Sequence, residues 1–128
     1  MEMISTDQAP IPAGHYSQAV AANGFLFLAG QLPIVLGKTR HIPESLEEQV
    51  YQVFANVRAV LQAAGSDLKD IVSIQIFIPD ISLWTKINQL YTDILGDHKP
   101  ARTVIPCGEL HYGAKIEVNA VAIHRKVG

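Results

Sequence analysis

Cysteine, tryptophan and charge are all scarce in this chain. Cys107 is the only cysteine, so no internal disulfide forms, which suits a reducing compartment. Lysine and arginine total 10 and are dispersed, the densest basic group being His124-Arg125-Lys126, and the net charge is −2. Nothing there attracts a polyanion, so no nucleic-acid partner is expected. No apolar run approaches the ~20 residues that cross a bilayer. Residues 1–7 hold neither a basic segment nor a long apolar stretch, so no signal peptide and no membrane partner are expected, and the chain is expected to be cytoplasmic. The five histidines, at 15, 41, 98, 111 and 124, show no metal-ligand spacing, and neither a metal site nor a cofactor is expected. Internal repeats, linkers and low-complexity tracts are missing too, which leaves one domain over residues 1–128.

What is present is apolar: 48% of the residues, with only 17% charged. That is rich for a monomer of 128 residues and implies apolar surface covered by partner subunits.

Residues 9–14, with two prolines and a glycine, are irregular. Tyr16 to Val20 reads as a strand, Asn23-Gly24 as a tight turn, and Phe25 to Ala29 as a continuous apolar strand buried on both faces, leaving at Gly30. Ser45 with Glu48 forms a capping box for a helix whose apolar face is Leu46, Val50, Val53, Phe54, Val57, Leu61 and Ala64, stopped by Gly65. Residues 71–79 form a strand in which Val72, Ile74, Ile76 and Ile78 share one face. Ser82 caps a second helix with Trp84, Ile87, Leu90, Tyr91, Ile94 and Leu95 in the core, stopped by Gly96. Strands over residues 102–105 and 115–124 follow. The order β-β-α-β-α-β-β predicts an α+β fold, one mixed sheet with both helices on one face. Its other face lacks a cover, and oligomerisation supplies one.

Two residues carry chemistry. Arg102, in Pro100-Ala101-Arg102-Thr103, offers a planar fork for a small carboxylate. Glu117, fifteen residues on in Lys115-Ile116-Glu117-Val118, can accept a proton or hold a water. Together they suggest a pocket for a small keto or imino acid. On spacing alone, an arginine and a glutamate on successive strands are more often a plain cross-strand ion pair. Tyr16 is equally a strand aromatic, Gly30 a tight strand exit, and Asn88 a cap or an interface bridge. Cys107, between Pro106 and Gly108, reads as an inert turn thiol rather than a nucleophile.

Five segments in order carry a resemblance: Gly14-His15-Tyr16-Ser17-Gln18, Ala29-Gly30-Gln31-Leu32-Pro33, Asn88-Gln89-Leu90-Tyr91, Pro100-Ala101-Arg102 and Lys115-Ile116-Glu117-Val118. The chain resembles the RidA/YjgF/L-PSP family of enamine and imine deaminases almost end to end. The resemblance implies a homotrimer of chorismate-mutase-like subunits, with the sheets facing a central barrel and ligand clefts at the subunit seams. It implies that Arg102 binds the substrate carboxylate, that Tyr16 and Glu117 line the pocket with Glu117 positioning water, and that backbone near Gly30 and Val104 holds the imine nitrogen. Three departures stand out. Val104 occupies a position commonly cysteine or threonine, His15 replaces a proline, and residues 109–113 differ from a Leu-Pro turn. The implied reaction is hydrolysis of a 2-imino acid or its enamine to a 2-keto acid and ammonia. A non-catalytic carboxylate-binding trimer is the alternative. The ribonuclease or translation-inhibitor label attached to the family finds little support in so dispersed a set of cations.

Overall fold

The computed structural model describes residues 1–38 and 40–125. Lys126 of the terminal basic group lies outside them. Six strands form a single sheet: β1 (Glu2–Ile4), β2 (Ala19–Ala22), β3 (Phe25–Leu28), β4 (Ile71–Ile78), β5 (Ala101–Pro106) and β6 (Glu117–Ile123), in the spatial order β1-β2-β3-β6-β4-β5. All pairings are antiparallel except β4 with β5. A parallel pair needs a long crossover, and helix α2 (Trp84–Leu95) supplies it. Helix α1 (Leu46–Ala63) makes the other long connection.

Both helices lie on the same sheet face. Val50, Val53, Phe54, Val57, Val60 and Leu61 of α1 meet Ile87 and Leu90 of α2 over Leu26, Ile74, Ile76, Ile78, Val118, Ala120 and Ala122. The rings of Phe54 and Tyr91 pack edge to face at 5.9 Å between the two helices. Each such aliphatic side chain contributes about 1.5–3 kcal/mol on burial, so this layer holds the fold. The opposite face has no helix on it. Phe25 and Phe27 lie there, 40% and 47% exposed, in register with Ile123 and Val121 of β6.

Sequence and structure differ at several places, each with a local cause. Residues 2–4 form a strand that their mixed composition does not announce, recruited by pairing with β2. Tyr16 falls before β2, on the loop, so the strand predicted from Tyr16 begins at Ala19. Residues 25–29 are not buried on both faces: only Leu26 and Leu28 are. Val72 is exposed and Ile71 buried because a bulge between Ile71 and Ser73 shifts the register against β6, inverting the side-chain alternation at that end. Ser82 is not the cap of α2. A single 3-10 turn over Ile81–Leu83 precedes it, and the Asp80 carboxylate accepts the Ser82 N–H at 2.8 Å. Ser45 does cap α1, accepting the Glu48 N–H at 3.1 Å, but its hydroxyl also donates to the Glu48 carboxylate, so the predicted box is not the reciprocal one. The last strand begins at Glu117 rather than Lys115, held back by the Lys115 N–H bonding to the buried Gln49 side chain at 2.8 Å.

Candidate active site

Glu117 is the first residue of β6, where Val118, Ala120 and Ala122 are buried beneath the helices and the alternate residues are half-buried on the other face. Its partner in register on β4 is Phe77, also outside the core row. Arg102 sits on β5 opposite Ile74, which in turn faces Ala120, both of them buried. Partners in register share a sheet face, so Arg102 belongs to the helix side and Glu117 to the open side. Strand β4 runs between them. The plain cross-strand ion pair is therefore not formed, and the two groups lie on opposite faces of the sheet.

Each group anchors its own cleft. On the open side, backbone bonds between Gln31 and Val118 (2.7 and 3.0 Å) clamp the exit of β3 to β6. This draws Gly30 against Glu117: a Cβ at Gly30 would collide with the carboxylate, and even the carboxyl carbon would stand 3.2 Å away. A side chain at this position would therefore displace the Glu117 carboxylate. A cleft of about 250 Å³ opens beside it, lined by Tyr16, Gly30, Gln31, Leu32 and His111 among others. The loop bearing Tyr16 is fixed by the buried Gln18, whose amide donates to the carbonyls of Thr6 (3.0 Å) and Pro10 (2.9 Å) and accepts the Thr6 N–H at 2.7 Å. Among the described residues Glu117 makes no side-chain hydrogen bond or ion pair. Burial pushes its carboxyl above the ordinary carboxylate value, and the charge of His111 pulls it part of the way back. A desolvated carboxylate beside a cleft, with no partner among the described residues, is poised to take a proton.

On the helix side, Arg102 lies across α2. Its guanidinium sits 4.7 Å from the Trp84 ring centre and 5.0 Å from that of Tyr91, and it donates to Asn88 Oδ1 at 3.0 Å. Trp84 is consequently only part-buried, a platform for the cation rather than the core residue its spacing suggested. Stacking and one amide acceptor orient the fork and leave its other N–H groups free. A second cleft, of about 380 Å³, is lined by Tyr91, His98, Lys99 and Arg102. The Tyr91 hydroxyl is buried there beside Arg102, with no well-formed hydrogen bond among the described residues. Burial raises its pKa against the opposing charge of Arg102.

The structure thus groups Tyr16, Gly30 and Glu117 in one place and Arg102 with Asn88 in another. Val104 faces the same side as Arg102, opposite the buried Ile76, and its side chain packs against the core rather than into either cleft. Cys107 is exposed in the turn after β5, its N–H bonded to the Ile78 carbonyl at 2.8 Å. Four contributors escaped sequence reasoning: His111, Trp84, Tyr91 and Gln18. Trp84, Asn88 and Tyr91 recur at three- and four-residue spacing, which places them on one stripe of α2. The reach of His111 to Glu117 has no sequence signal, because it depends on the left-handed turn at Tyr112.

Comparison with known proteins gives a consistent result. Residues 6–124 match the family described as endoribonuclease L-PSP. A RutC family protein of Aquifex aeolicus is 42% identical over 125 residues, covering 96% of this chain and 99% of the relative. Reactive Intermediate Deaminase A of Arabidopsis thaliana, a chloroplastic protein, is 34% identical over 121 residues, covering 94% of this chain and 65% of that one. The crystal structure of E. coli TdcF with bound serine superposes with a TM-score of 0.89 at 31% identity, over 96% of this chain and 98% of that one.

Proposed function

The chain belongs to the endoribonuclease L-PSP family, which includes RutC and reactive intermediate deaminase proteins, and from that premise we propose that it hydrolyses 2-imino acids or their enamines to 2-keto acids. The observation that carries this is Glu117: desolvated, unpartnered among the described residues, and pressed against Gly30, which lines the cleft. A relative named a reactive intermediate deaminase and a structural neighbour with bound serine support the substrate class.

In this mechanism Arg102 of one subunit binds the substrate carboxylate, at roughly 1.5–3 kcal/mol per charge-assisted hydrogen bond. Glu117 of a neighbouring subunit holds water against the imine carbon. Water adds across C=N, Glu117 takes its proton, and the same proton returns to nitrogen. The carbinolamine then collapses to ketone and ammonia. Tyr16 and backbone near Gly30 and Val104 position the imine, and Asn88 orients the arginine. Pairing the two half-sites requires the β5 edge that bears Arg102 in one copy to meet the open side of the next, and a homotrimer that also covers the Phe25 and Phe27 face provides this. RNA cleavage rests on the family description alone, against ten dispersed cations.

The test generates imines in situ with an amino-acid oxidase and traps them with semicarbazide. Wild type is expected to shorten imine lifetime, and Arg102→Ala and Glu117→Gln to abolish the effect. Mixing and reassembling the two inactive variants should restore about a quarter of the sites. Absence of rescue from correctly assembled mixtures would sink the two-subunit site, and an inactive wild type would sink the deaminase.

A further inference from the structure

The cleft beside Glu117 does not end at Tyr16 and Gly30. A second cavity of about 420 Å³ adjoins it, and the two share Pro10, Ile11, Ala13, Ile34 and Tyr112 as walls. Beyond this shared stretch the trough runs past Val35 and Leu36 and opens near Asp7, Lys38 and Arg40. Ile11 is 81% exposed and Leu36 45% exposed, so large apolar side chains flank the trough with little other contact to explain them.

Buried amides fix its walls. The Asn56 side chain, buried in α1, donates to the carbonyls of Leu32 and Ile34, both at 3.0 Å, and accepts from Gln52 at 2.9 Å. Gln18 holds the facing loop at Pro10. Tyr112 borders both cavities at a φ of +60°, which a bulky residue rarely adopts and which marks a functional surface when the surroundings hold it there. The Arg40 guanidinium stands over its ring at 5.9 Å. An apolar trough prebuilt in this way and continuous with the reacting centre is a side-chain site.

We infer that this trough takes the side chain of the substrate, so that 2-imino acids with branched or aromatic apolar side chains are preferred over 2-iminopropanoate. The inference rests on the deaminase reading of the same cleft. A second carboxylate is disfavoured. The shared walls are apolar, so a short diacid would leave its charge desolvated among Pro10, Ile11 and Ile34. Arg40, at the outer end, is engaged with the Tyr112 ring.

The experiment compares kcat/KM for imines derived from alanine, leucine, phenylalanine and glutamate, for wild type and for Ile11→Ser/Leu36→Ser. Wild type should favour the leucine and phenylalanine imines by about tenfold or more, since each buried methylene discriminates on that scale. The double variant should lower that ratio without a change in far-UV circular dichroism. A flat profile, one led by alanine or glutamate, or a ratio unmoved by the double variant overturns the trough and leaves the deaminase standing. If wild type turns over no imine, the deaminase fails separately, and the trough is then judged by calorimetry with keto acids. Tighter binding of 4-methyl-2-oxopentanoate than pyruvate, weakened in the double variant, supports it, and equal or absent binding overturns it.

Discussion

Asp70 and Glu117 are both carboxylates withdrawn from bulk water, and the fold treats them in opposite ways. Asp70 is 3% exposed and both its oxygens are engaged, one by Arg125 Nε at 2.8 Å and the other by the Asp67 N–H at 3.0 Å. Burial alone would raise its pKa, but the guanidinium, the N–H and Lys69 hold it below its ordinary value of 3.8. Glu117 has burial without the partners, and only the charge of His111 opposes a rise above 4.5. A charge that stabilises a fold is satisfied within it, whereas one kept for chemistry is left hungry for a proton.

The sharpest way to break this contrast is Glu117→Gln. It should lower deaminase activity by about 10²–10⁴-fold, the usual share of a positioned acid–base group, while leaving the melting temperature at neutral pH unchanged or raised. A large drop in melting temperature would make Glu117 a structural residue like Asp70. Gly30→Ala is expected next: displacing the carboxylate by an ångström costs up to about 10²-fold in rate, again with the fold intact by circular dichroism. Asp70→Asn should do the reverse, losing about 1.5–3 kcal/mol of stability in urea titration with kcat/KM unmoved. The subtlest effect is His111→Gln. The charge of His111 draws the Glu117 pKa down, so its removal should move the acid limb of the pH–rate profile to higher pH. A profile that stays put would detach His111 from Glu117.

The two carboxylates also predict opposite pH dependences of stability. Asp70, with its folded pKa lowered, contributes stability above its unfolded value of 3.8 that is lost as pH falls through the folded value. Glu117, with its folded pKa raised, favours the fold when protonated, below 4.5, and that contribution is lost as pH rises through the folded value. Denaturant melts from pH 3 to 6 should therefore show both variants close to wild type at the acid end and parting from it towards pH 6 in opposite directions, Asp70→Asn below wild type and Glu117→Gln above it.

Periodicity was enough to foresee the layered fold. The apolar stripe of α1 and the isoleucines of β4 state which faces are buried, and Gly65 and Gly96 state where the helices stop. It failed where a neighbour overrides local pattern. The bulge beside Val72 depends on β6, and the late start of β6 depends on the Gln49 side chain 66 residues away along the chain. Arg102 and Glu117 stand out by residue type and context, but the sheet order that separates them arises from long-range pairing. Spacing of fifteen residues suggests adjacency, and only the intervention of β4 removes it. Buried Gln18 and Asn56 look like ordinary polar residues until the loops they tie are seen.

The placement of Arg102 and Glu117 on opposite sides of one sheet has a kinetic meaning. If one ligand must meet both groups, as proposed, the rate follows the concentration of assembled protein and falls faster than total protein once dilution separates the copies. Specific activity should then fall on dilution while the folded fraction stays constant. A chain carrying one defect would also disable sites built largely from intact copies. In the proposed reaction the sheet works as a partition, and assembly closes the circuit across it.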